Sequence, residues 1–137
     1  TEKDGLDVLR ENLAGFVVPS SDERRLLYKL CDIDYKRYSR SVDGVVLFVE
    51  SVAKVRTTQD FQFIEVKTTK AKNVKELPYG VFFGFTQNEE DLFRTQPNYR
   101  LCIVHTVLEE FCLMDFNQYE SLIQNKRIQY QINFKRK

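Results

Sequence analysis

The sequence predicts a single α/β or α+β domain, and three observations carry that expectation. The chain has 137 residues, one domain by length and enough to enclose a core. Apolar residues recur at helical spacing near its start, at Leu6, Leu9, Leu13 and Phe16. Further on, short runs of Val, Ile and Phe are bounded by glycine, proline and polar clusters, which is strand and turn chemistry.

Taken in order, residues from Glu2 to Ala14 read as an amphipathic helix closed by Gly15, and Val17-Val18-Pro19 breaks it. Ser20 and Glu23 stand at capping-box spacing ahead of an apolar stripe, Leu26, Leu27 and Leu30, so a second helix starts there and capping is the first reading of Glu23. From Asp32 to Ser41 the chain is polar, with Tyr35 and Tyr38 interleaved among Lys36, Arg37 and Arg40. That pattern suits one groove that stacks and contacts phosphates of a nucleic acid. Val42 to Val49 is an apolar strand with Asp43 at its entrance and Gly44 beside it, where backbone or ligand can approach closely.

Phe61 to Thr69 is a second strand, followed by a loop carrying Lys70, Lys72 and Lys75 and ending in the turn Leu77-Pro78-Tyr79-Gly80. Val81 to Phe85 reads as a buried strand or extended segment. Thr86 caps a helix from Gln87 to Thr95, with Glu89, Glu90 and Asp91 placed to complement its dipole. Tyr99 to Thr106 is a strand with Leu101, Ile103 and His105 on one side and Cys102 and Val104 on the other. His105, the one histidine, reads as structural. Phe111 to Phe116 is a further strand, Asn117 to Gln124 a short helix, and Arg127 to Phe134 a last strand, Ile128, Tyr130, Ile132 and Phe134 alternating with Gln129, Gln131 and Asn133.

The chemistry concentrates at Glu65-Val66-Lys67. On a strand, residues i and i+2 share a face, so Glu65 and Lys67 project side by side while Ile64 and Val66 enter the core. An acid beside an ammonium suits a site where a divalent cation meets a phosphodiester. Removing Lys67 is expected to leave that core packed. A second acid-x-lysine triplet, Asp34-Tyr35-Lys36, lacks an apolar strand to hold it. A hairpin turning near Ala53 to Arg56 sets Asp43 opposite Glu65 to Lys67; a turn nearer Thr58 to Asp60 carries Asp43 past Lys67 and needs a bulge to bring it back. The residues leave both registers open.

Asp43 followed by Glu65-Val66-Lys67, each on an expected strand, resembles the PD-(D/E)xK nuclease superfamily, with its restriction-endonuclease-like fold. Val42 stands where the family name has proline. Ile64 to Thr69, the lysine-rich loop, Phe85-Thr86-Gln87-Asn88-Glu89 and Tyr99 to Val104 look similar to the Mrr-like and NO VEIN C-terminal-like members, over roughly residues 22–106. The resemblance implies a mixed central sheet with an antiparallel hairpin flanked by helices. It divides 1–137 into a helical lead-in over 1–41, a catalytic core over 42–106 and a strand-helix-strand extension over 107–137. It also implies magnesium-dependent hydrolysis of DNA in a restriction or defence setting, with manganese as substitute. Asp43, Glu65 and the main chain of Val66 are the implied metal ligands, Lys67 positions water, and Glu23 or Glu11 is an additional acid from the first family helix. The alternatives are a catalytically inactive nuclease-fold module for nucleic-acid binding or assembly, and a pure protein-interaction domain.

A formal net charge of +1 neither announces nor excludes a nucleic-acid partner, because such a nuclease has acids at its centre and bases at its rim. Basic groups cluster at Arg24-Arg25-Lys29, Lys36-Arg37-Arg40, Lys70-Lys72-Lys75 and Lys135-Arg136-Lys137. Three cysteines without metal-type spacing argue against a disulfide framework, and for a reducing cytoplasmic or nuclear compartment. No run reaches membrane-span length and no signal-peptide pattern opens the chain. The first residue, Thr1, fits a domain cut from a longer polypeptide whose other domains or subunits, including a second copy, are its partners.

Overall fold

A computed structural model describes all residues, 1–137. Its elements are helix α1 (Glu2–Asn12), strand β1 (Phe16–Val17), helices α2 (Ser21–Leu30) and α3 (Tyr35–Tyr38), strands β2 (Gly44–Leu47) and β3 (Phe61–Thr69), helix α4 (Gln87–Thr95), strands β4 (Tyr99–His105) and β5 (Glu110–Met114), and helix α5 (Phe116–Leu122). The strands form one mixed sheet in the order β1-β2-β3-β4-β5, in which only β3 and β4 run parallel. The parallel pair joins the central strand β3 to β4, and α4 makes its crossover.

Both faces of the sheet are buried, which is why β3 reads as a nearly continuous apolar run. On one face Val46, Ile64, Val66, Cys102 and Val104 meet Val8 and Leu9 of α1. On the other, Val45, Leu47, Phe61, Phe63, Leu101 and Ile103 meet Leu27 and Tyr28 of α2, Leu92 and Phe93 of α4, and Tyr119 of α5. Glu65 and Lys67 therefore project into the second, covered layer and not toward open solvent.

Local chemistry sets the helix starts. Ser20 accepts the Glu23 N–H while the Glu23 carboxylate accepts that of Ser20, and Thr86 and Glu89 repeat the arrangement on α4. Of the apolar stripe on α2 only Leu27 is buried; Leu26 and Leu30 face out, because α2 touches the sheet along a narrower line than the stripe suggested. The polar 32–41 stretch contains the short α3, capped by Asp34 through the Lys36 N–H at 3.1 Å. The last helix is capped by Asp115, ahead of the asparagine at its second position.

Two expectations about extended segments change. Val81 to Phe85 is extended without joining the sheet, and it is not buried throughout: Phe82 is fully out, while Phe83 and Phe85 pack inward. Arg127 to Phe134 is not a strand. Ile128, Tyr130, Ile132 and Phe134 are 76% to 91% exposed, since alternation prepares a segment for a sheet but supplies no edge to pair with. The 1–41 lead-in is not wholly helical either, because Phe16–Val17 pairs with Val45 and Val46. No helix is long and apolar enough to cross a membrane.

Candidate active site

The hairpin register decides the site. Gly44 pairs with Ile64 and Leu47 with Phe61, the register of the earlier turn, with a 3-10 turn at Val52–Lys54 inside the connection. One step beyond Gly44, Asp43 lies beside the middle of β3, next to Glu65 and Val66. Its N–H donates to the Ile64 carbonyl at 3.0 Å, and its Oδ2 accepts the Val66 N–H at 2.7 Å. Gly44 keeps its lack of a side chain for Phe16: a Cβ there would stand 2.6 Å from that ring, so the close approach is by core and not by ligand.

Alternation along β3 places the other groups. The Phe63 N–H donates toward β4 and the Thr69 carbonyl accepts from that side, so odd positions pair with β4 and even ones face β2. The Val66 carbonyl thus lies on the Asp43 side, past the first residue of β2. Glu65 and Lys67 emerge together, Nζ 3.6 Å from Glu65 Oε2. Glu65 is only 2% exposed, and its Oε1 is buried with no hydrogen-bond partner. A buried, unpartnered carboxylate oxygen at a cluster of acids is costly unless a proton or cation joins it.

Two further acids complete the cluster. Glu89 of α4 accepts from Lys67 Nζ at 3.0 Å through the same Oε1 that takes the Thr86 N–H at 2.9 Å. The sequence reads its first-turn position as complementing the helix dipole; in the structure it also closes the Thr86 cap, and the same oxygen holds the lysine. Lys67 further stands 5.3 Å from the centroid of the Phe85 ring. Lys67 is thus an enclosed partner of a buried acid, so its loss is not neutral for the fold. Glu2, from the first turn of α1, lies against Asp43.

Proton affinities follow from this crowding. Burial first, then the neighbouring Glu89 and Asp43 carboxyls, push Glu65 up to about 12, so it holds a proton at neutral pH. Burial alone would raise Glu89 too. Hydrogen bonding from Glu65 and from the Thr86 backbone, with the charge of Lys67, outweighs it and keeps Glu89 below its usual range. Glu2 is raised to about 7, by the Asp43 carboxyl first and by burial second. Glu89 is therefore the anion paired with Lys67, and the 3.6 Å Glu65 contact is the lesser one.

The acid that the helices bring beside Asp43 is Glu2, while Glu11 and Glu23 lie elsewhere. Glu23 is occupied in the Ser20 cap. Glu11 sits at the other end of α1, in a separate acidic hollow with Asp4, Asp7 and Glu109. Glu2 was legible in principle, since it shares the spacing i, i+3, i+7 with Gly5 and Leu9, both buried against the sheet.

The expected nucleic-acid contacts divide. Lys70, Lys72 and Lys75 are exposed on the loop leaving β3. Lys36, Arg37 and Arg40 line one surface hollow with the start of α4. Tyr35 and Tyr38 are half-buried against the core, Tyr35 edge-on to Tyr28 and under Arg25, Tyr38 under Arg37. His105 is structural: Nδ1 accepts the Leu108 N–H at 3.1 Å, which leaves the proton on Nε2 facing the Ala71 carbonyl.

No three His, Cys, Asp or Glu side chains form a ready-made metal cluster. A magnesium site does not need one, since that ion commonly takes one or two carboxylates and keeps several waters. Asp43, the unpartnered Glu65 oxygen and the Val66 carbonyl fit that donor set. The fold and site together define a mixed α/β domain with an acid and lysine cluster where the central hairpin opens. No family model, no curated protein and no solved structure matches the chain.

Proposed function

We propose that this chain is a metal-dependent nuclease domain of the PD-(D/E)xK kind, hydrolysing DNA phosphodiester bonds in a restriction or defence setting. The observation that carries the reading is the approach of Asp43, just before β2, to Glu65 and Val66 of β3, beside Lys67, with one Glu65 oxygen buried and unpartnered. Asp43, Glu65 and the Val66 carbonyl would hold magnesium or manganese, which supplies Lewis-acid stabilisation of the phosphate and a more acidic water. Lys67 serves as donor to a phosphate oxygen and orients the attacking water, and Glu89 holds its ammonium in place. Glu2, beside Asp43 and raised to about 7, would take up a proton during the reaction.

Calorimetric titration with magnesium, together with plasmid nicking, tests this on wild type and Asp43→Ala. The expected result is heat and nicking for wild type and neither for the variant. Equal affinity in both removes Asp43 from the site. A wild type that binds DNA but never nicks it turns the domain into a binding module on the same fold.

A further inference from the structure

Between α3 and the start of α4 lies an open hollow of about 490 Å³ with no hydrophobic side chain in its lining. Lys36, Arg37 and Arg40 supply one wall, Thr86, Gln87 and Asn88 the other. The three cations are nearly without counter-charge. Arg37 has a carboxylate in reach, Asp91 at 3.8 Å, the outer limit of an ion pair. Lys36 and Arg40 form none of the ion pairs in the molecule. Like charges around one polar void repel, and an anion in the void reverses the sign of that energy.

The hollow is held in shape and tied to the acid cluster. Asn88 Nδ2 donates to the Arg37 carbonyl at 3.1 Å, joining its two walls. Thr86, on the α4 wall, donates its N–H to Glu89 Oε1, the oxygen that also accepts from Lys67. We infer that this hollow seats one backbone phosphate of the DNA strand bound at the proposed nuclease site. The strand's identity rests on the nuclease reading; the anion seat rests on the cations and the void alone.

Two measurements without metal test it. In EDTA, duplex DNA binding is followed against salt for wild type and for Lys36→Ala/Arg37→Ala/Arg40→Ala, with melting temperature as folding control. Each phosphate neutralised contributes a slope of about 0.9 in log K against log salt, so three cations sharing one phosphate flatten it by about 0.9 when removed together. A flattening near 2.7, for three separate phosphate contacts, overturns the single seat, as does no change. Should the triple variant fail to fold, amide shifts of wild type titrated with inorganic phosphate decide. Shifts confined to residues 36–41 and 86–88 support the seat, and their absence overturns it. Nicking with an unchanged slope and no shifts sinks the seat alone. The expected slope and shifts without any nicking sink the nuclease reading and leave the seat standing.

Discussion

Two acid-x-lysine triplets in this chain have the same charge pattern and opposite fates. Asp34-Tyr35-Lys36 caps and opens α3, where residues two apart point in different directions; its acid is exposed and spends its oxygen on the Lys36 N–H. Glu65-Val66-Lys67 lies on β3, where residues two apart share a face; its acid is buried with a free oxygen and its lysine is enclosed by Glu89 and Phe85. Backbone period and burial, not residue type, separate a helix cap from a site. Of the first triplet only Lys36 lines the hollow beside α4.

The largest expected difference is in rate. Lys67→Ala should slow DNA nicking by about a hundredfold to a thousandfold, the usual loss for one electrostatic contact made in the transition state. Because it also strands Glu89, it should lower the melting temperature, so Lys67→Ala/Glu89→Gln is needed beside it. A double variant that regains stability but not rate sharpens the contrast between triplets; one that nicks like wild type breaks it.

Next in size is stability without metal. Glu65 and Glu2 bind a proton more tightly folded than unfolded, so the stability they contribute is fully present below about 4.5 and is lost as pH rises. Glu2 finishes its loss near 7, whereas Glu65 continues toward about 12. Chemical denaturation in EDTA between pH 5 and 9 should show falling stability, steepest in wild type and reduced in Glu65→Gln. That variant should be more stable at neutral pH, because a neutral amide enters the core without the proton uptake that folding demands of Glu65. A flat profile in wild type would mean Glu65 is not enclosed as described. Since a cation must displace the Glu65 proton, magnesium should bind more tightly as pH rises.

The smallest effect belongs to the first triplet. Asp34→Ala should cost about 1 kcal/mol as a lost helix cap and leave the nicking rate at saturating DNA unchanged. A rate loss comparable to that of Lys67 would erase the distinction between the two.

Much of this arrangement was legible because it is local. Ser20 with Glu23 and Thr86 with Glu89 announce helix starts over three residues, and the alternation in 61–69 places Glu65 with Lys67. Asp43 depended on one choice between two hairpin turns, which packing settles and residue letters do not. Glu2 was missed because its approach to Asp43 depends on where α1 docks. The 127–134 segment was misread for a related reason: its pattern describes a face, while pairing needs an edge strand held in place beside it.

Gly5 is one helical turn from Glu2, and α1 rides so close to β3 there that a Cβ would fall 2.6 Å from Thr68 Cγ2 and 3.1 Å from Val66 Cγ1. The helix has no slack at that point. A methyl at position 5 would have to turn Thr68 aside or lift the amino end of the helix, and lifting it would draw Glu2 back from Asp43. The close seat of Glu2 beside the acid cluster thus rests on a spacer with no charge of its own, a hydrogen atom standing where any other residue would place a carbon.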